Sequence, residues 1–255
     1  MELDFYNWFL VFVRLGAFLL ALPFFSAVNF PVIMRVALPA LAALLLAPQL
    51  PPFPVSHLDL LALFGLLARE LAIGLLFGFF ARMAFFAADI GGMIISNEMG
   101  LNMGSLLDPA SRQSEQVPGL VLSLLAIVTM LSLNLHHGLL LGFARSFDVL
   151  PLGGGHLSTS LFEIMIQRTS QIFVLALQIS APVIAVTFCI TVFFSVMSRA
   201  VPQMNVLAES FGIRIAGGLI VFGFTLQITA QYIANYLQRL PDDLLGLAQL
   251  LGGAR

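Results

Sequence analysis

Residues 91–119 read GGMIISNEMGLNMGSLLDPASRQSEQVPG, a polar interval punctuated by Gly91, Gly92, Gly100, Gly104 and Gly119 and by Pro109 and Pro118. The chain around it is 60% hydrophobic and only 9% charged, with a mean hydropathy of +1.01. That composition belongs to a polytopic integral membrane protein. Glycine adds conformational entropy to the unfolded chain and proline removes a donor, so a continuous helix through the interval is not expected. Irregular backbone survives at membrane depth only where protein encloses it or water reaches it, because lipid offers its amides no partner. The interval is therefore either an aqueous loop or a re-entrant, pore-facing segment bearing Glu98, Asp108, Arg112 and Glu115.

Working outward, six apolar runs cover residues 7–28, 32–47, 60–88, 120–143, 164–197 and 213–237. A helix needs roughly 20 residues to cross a bilayer core of about 30 Å. The second run is short for this and the fifth is long, so the fifth must tilt, break at Pro182 or leave the membrane. Residues 48–54, PQLPPFP, form a stiff connector in which Pro48, Pro51, Pro52 and Pro54 forbid a helix. The chain opens Met-Glu-Leu-Asp, acidic where a signal peptide is basic, and the first run is read as a retained helix with its N-terminus outside.

The charge of -2 comes from arginines and acids without a lysine, which gives no basic surface for nucleic acid and no polybasic lipid-binding tail. The one cysteine, Cys189, excludes an internal disulfide or a cysteine metal cluster. His136 and His137 are adjacent, so on a helix they point about 100° apart and cannot share a metal as an i, i+4 pair does. They are expected to end a span or to bond a neighbouring helix. HExxH, GxSxG, GxGxxG and P-loop patterns are absent, and an enzyme is not expected.

Within the third run stand Arg69 and Glu70. An ionisable residue inside a span is a functional candidate by default, here as a proton or solute carrier. The competing assignment is an interhelical ion pair, for instance Glu70 with Arg14 of the first run. Gly74 and Gly78, and Gly138 and Gly142, are GxxxG pairs that permit close helix approach. Met93, Met99 and Met103 lie in the first half of the central interval, where flexible thioethers can either seal a constriction or simply pack.

Four stretches in order carry a resemblance: Glu70-x-x-x-Gly74, Asp108-Pro-Ala-Ser111, Leu150-Pro-Leu-Gly-Gly154 after Asn134-x-x-His137, and Arg199-Ala-Val-Pro-Gln-Met-Asn-Val206. Together, over nearly the whole chain, they resemble the FliR family of bacterial flagella and its counterparts in injectisomes, with the wording closer to the flagellar branch. After residue 206 the chain departs from the family's usual wording, where Ser210-Phe211-Gly212-Ile213-Arg214 puts an arginine near the start of the sixth run.

The resemblance implies an all-α membrane protein of about six long, partly kinked helices with a central glycine-rich re-entrant segment. It implies FliP-like helices over residues 1–198, with a plug at 100–118, and a FliQ-like helical hairpin region over 199–255. The implied function is a non-enzymatic, cofactor-free subunit of the type III export gate in the bacterial inner membrane, at the flagellar basal body. Implied partners are FliP-like and FliQ-like subunits, FlhA-like and FlhB-like export components and unfolded secreted proteins. Implied plug or gasket residues are Met93, Met99, Gly100, Met103, Gly104, Asp108, Pro109, Ser111 and Pro118. Arg14, Arg69, Glu70, His137, Arg199 and Pro202 are assigned structural or intersubunit roles. The alternative is a secondary transporter that binds a solute with Glu70 and the broken central segment.

Overall fold

The computed structural model describes residues 5–26, 31–53, 59–102, 117–155, 159–200 and 206–253. Every regular element among them is helical: α1 (Phe5–Ala21), α2 (Pro23–Ser26), α3 (Val32–Leu46), α4 (Leu60–Met99), α5 (Val117–Ser132), α6 (Leu135–Val149), α7 (Thr159–Ala200), α8 (Val206–Leu237) and α9 (Leu240–Leu251), with a 3-10 turn at Ala47–Gln49. The protein is an all-α membrane protein. Among the described residues, four stretches are long and apolar enough to cross a bilayer, Val32–Gln49, Leu60–Met99, Leu161–Ala200 and Glu209–Leu251, or five if the broken pair α5 and α6 acts as one.

The helices refine the six runs, the first of which is parted at Leu22 into α1 and α2. α4 does not stop near Ala88 but continues through Gly91 and Gly92 to Met99. The fourth run is two helices, parted at Asn134, whose φ of 54° lies in the left-handed region that asparagine tolerates better than most residues. α7 runs unbroken through Pro182. α9 carries too few consecutive apolar residues to register as a run, yet Leu240, Leu244, Leu247, Ala248 and Leu251 repeat at helical spacing and are all buried. Asp242 and Asp243 in its first turn complement the positive end of the helix dipole.

The chain forms two compact units. The first comprises Met1–Met83, Asn134–Arg168 and Gln238–Arg255, and the second Ala84–Leu133 and Thr169–Leu237. In the first unit α1 packs on α3, and α9 packs on α6. Asn7 fastens the proline-rich connector, its amide donating to the Pro51 carbonyl at 2.9 Å while its own oxygen accepts from the Phe53 amide at 2.9 Å. An aromatic cluster fills the centre: Phe18 stacks on Phe143 at 4.9 Å, and Phe77 and Phe147 meet Phe143 edge-on at 6.1 and 5.5 Å.

Both GxxxG pairs belong to this unit, and each receives a specific partner. Gly74 and Gly78 on α4 leave no room for a Cβ, because the Arg14 and Phe18 carbonyls and the Ala17 and Ala21 methyls of α1 occupy that space. Gly138 and Gly142 on α6 seat Pro241, the second residue of α9. In the second unit α5 packs on α8.

A buried ion-pair latch and a glycine–methionine seam as candidate functional sites

Arg14 and Glu70 are both fully buried in the first unit. The Arg14 Nε donates to Glu70 Oε2, and its NH2 donates to Glu70 Oε1 at 3.0 Å. NH1 donates to the Leu150 carbonyl at 2.9 Å, and NH2 reaches the Pro151 carbonyl at 3.4 Å. The guanidinium carbon stands 4.5 Å from the centre of the Phe147 ring. A planar fork of N–H donors suits this arrangement, with the carboxylate on one edge and two carbonyls on another, where a point-charge ammonium would not.

Residues 150–154 close the latch from the other side. Gly153 has a φ of 71°, a conformation that costs glycine nothing, and an added Cβ there would stand 2.9 Å from Phe53 and 3.0 Å from Leu66. Its amide donates to Glu70 Oε1 at 2.8 Å, while its carbonyl accepts from Arg69 NH1 at 2.6 Å. One peptide segment thus satisfies the acid and two arginines. The helix that carries Glu70 also carries Gly74, one turn on, where the backbone of Arg14 comes close. Two motifs far apart in the chain, Glu70-x-x-x-Gly74 and Leu150-Pro-Leu-Gly-Gly154, meet on Arg14.

This geometry leaves Glu70 no open face for a solute. Its oxygens accept from Arg14 and from the Gly153 amide, and it is 0% exposed. Removing one partner of such a pair would strand the other charge, so the latch acts as a clamp on α1, α4 and residues 150–153.

The second unit contains the seam that leads into the central interval. Gly92 lies against the Gly119 backbone, so close that a Cβ would overlap it, and Gly91 faces the Ala176 carbonyl and Ile179. Pro118, in the first turn of α5 where proline is tolerated, is buried beside this contact. Ser96 donates back to the Gly92 carbonyl at 2.8 Å. Met99 is fully buried, and its side chain fills the space above Gly218 on α8, where a Cβ would come within 2.6 Å of Met99 Cγ. Met93, by contrast, is 42% exposed.

Helix α4 ends at Met99, and Gly100 turns the chain with a φ of 78°. The Phe211 ring lies on Gly100, 2.7 Å from where a Cβ would be. Arg214, three residues on, donates from Nε and NH2 to Thr191 Oγ1 at 3.1 and 2.8 Å. One turn earlier on α7, Thr187 donates to Glu98 at 3.2 Å. The carboxylate of α4 and the guanidinium of α8 are therefore each held by a threonine of α7. Sequence reasoning missed both, although Thr187 and Thr191 at i, i+4 amid an apolar run were a visible polar stripe.

Other expected site residues are dispersed. Arg199 is exposed in the last turn of α7, where its charge suits the helix dipole. His137 is exposed, and its ring lies 4.1 Å from that of His136, whose Nδ1 is buried without a hydrogen-bond partner. Met103, Gly104, Asp108, Pro109, Ser111 and Pro202 lie outside the described residues.

The family described as "Bacterial export proteins, family 1" matches residues 5–240. Among curated relatives, the flagellar biosynthetic protein FliR of Bacillus subtilis (strain 168) is 28% identical over 247 residues, 95% of each chain. FliR of Escherichia coli (strain K12) is 26% identical over 230 residues, 90% of this chain and 87% of its own. The Yop proteins translocation protein T of Yersinia pestis is 27% identical over 187 residues, 72% of each. With apolar helices able to cross a bilayer and a match from the first described helix into the last, the chain belongs to the FliR family of membrane-embedded flagellar and type III export proteins.

Proposed function

We propose that the protein is a non-enzymatic subunit of the type III export gate in the bacterial inner membrane. It joins FliP-like and FliQ-like subunits around a pore for unfolded flagellar proteins and works with FlhA-like and FlhB-like export components. In this assignment residues 1–198 supply FliP-like helices and 199–255 a FliQ-like hairpin region, and the segment 100–118 plugs the pore. The observation that carries the plug reading is the junction at Gly100. There a 40-residue apolar helix stops against Phe211, and the chain departs through a glycine in left-handed backbone. A fixed base and a glycine pivot are what a movable segment needs. In this reading Met93, partly exposed on the preceding helix, acts as gasket, and Met99, buried against Gly218, as anchor.

The transporter alternative loses its central residue, since Glu70 is enclosed and already bonded on both oxygens. Deleting residues 103–116 tests the plug while leaving Gly100, Pro118 and Gly119 in place. The assembled gate carrying this deletion is expected to leak ions while export persists. An assembled, export-competent deletion that stays tight to ions would overturn the plug assignment.

A further inference from the structure

Beside the latch, the first unit holds a groove of about 530 Å³ lined by Arg69, Ile73, Leu76, Leu161, Phe162 and Met165 among others. All but one of these named lining residues are apolar. Arg69 is exposed at its position on α4, and among the described residues its guanidinium meets the Gly153 carbonyl at 2.6 Å but no carboxylate. Its neighbour Glu70 cannot serve, because Arg14 already binds it. A guanidinium on a helix that is apolar enough to cross a bilayer needs an anion or water, and an isolated charge facing lipid is unfavourable.

We propose that this groove binds an anionic phospholipid, with the phosphate on Arg69 and one acyl chain along Ile73, Leu76 and Phe162. The volume favours a lipid chain over a protein helix. A helix about 10 Å across would fill such a space with roughly one turn, so it would rest across the groove rather than enter it. A flexible chain fills it lengthwise, as small ligands do in cavities of roughly 300–1,000 Å³. The charge favours a phosphate, which a guanidinium can hold through two parallel N–H donors.

The full chain, purified in a neutral detergent, is offered phosphatidylglycerol and phosphatidylcholine with the same acyl chains, and bound lipid is counted by native mass spectrometry. One phosphatidylglycerol is expected to be retained with about fivefold preference over phosphatidylcholine, the effect of a single arginine at an anionic headgroup. Arg69→Gln removes the charge and, two bonds shorter, also gives up the exposed bond to the Gly153 carbonyl; it should erase the preference at the cost of a small fall in melting temperature, whereas Arg69→Lys should keep the preference. Phe162→Ala, at a half-exposed position, should weaken retention of both lipids alike. Equal retention of the two lipids by the parent chain, or an undiminished preference in Arg69→Gln, would overturn the proposal. Competition by chain-free glycerol phosphate as strong as by the lipid would overturn it too, since the groove would then play no part.

Discussion

In the first unit a guanidinium and a carboxylate are sealed together and tied to the backbone of residues 150–153, while in the second unit the close contacts are Gly92 on Gly119 and Met99 on Gly218. The latch and the seam hold helices together by different physics. The latch is directional: the donors of Arg14 meet acceptors fixed in place, and a shifted helix would leave a buried charge unpaired. The seam is steric, made of backbone approaching backbone and a thioether that can adapt.

Breaking the latch on one side should have the largest effect. Glu70→Leu strands Arg14 in an enclosed site and is expected to destabilise the protein by about 3–5 kcal/mol, read as a fall in melting temperature in detergent. The double substitution Arg14→Met with Glu70→Leu should recover most of that loss, because a packed apolar pair replaces the stranded charge. If the double variant is as unstable as the single, the carbonyls of Leu150 and Pro151 matter more than the ion pair.

The seam should respond to volume instead. Met99→Ala removes a fully buried side chain and should cost about 2–4 kcal/mol through the cavity left over Gly218, with Met99→Leu nearly neutral. Gly92→Ala forces a methyl into the Gly119 backbone, which cannot swing aside, and should cost about 1–3 kcal/mol. Gly218→Ala meets only the Met99 side chain and should cost less than Gly92→Ala; the reverse order would show that the thioether is rigid. Smallest of all, Thr191→Val takes the hydroxyl from a half-buried Arg214 and should cost about 1 kcal/mol.

Much of this was legible in the residues. The membrane class followed from composition, and both GxxxG pairs mark places where another segment presses against the helix. The Arg14–Glu70 pair could be named because two opposite charges inside apolar runs have few alternatives. What was not legible depends on contacts. Gly91 and Gly92 suggested an end to helix α4, yet they continue it, because the absence of a side chain is used to admit Gly119 and Ile179 rather than to make a turn. Pro182 likewise does not end α7, where the flanking apolar helix continues on both sides. α9 escaped notice because its apolar residues are spaced and not consecutive. The acceptors of Arg14 are main-chain carbonyls, which no residue type advertises.

The most direct measurement is the native mass of the detergent-solubilised chain, expressed with and without FliP-like and FliQ-like partners. A single large complex that forms only with those partners and holds one copy of this chain is the predicted result. A monodisperse monomer or homodimer, unchanged by the partners, would contradict the assignment as a gate subunit.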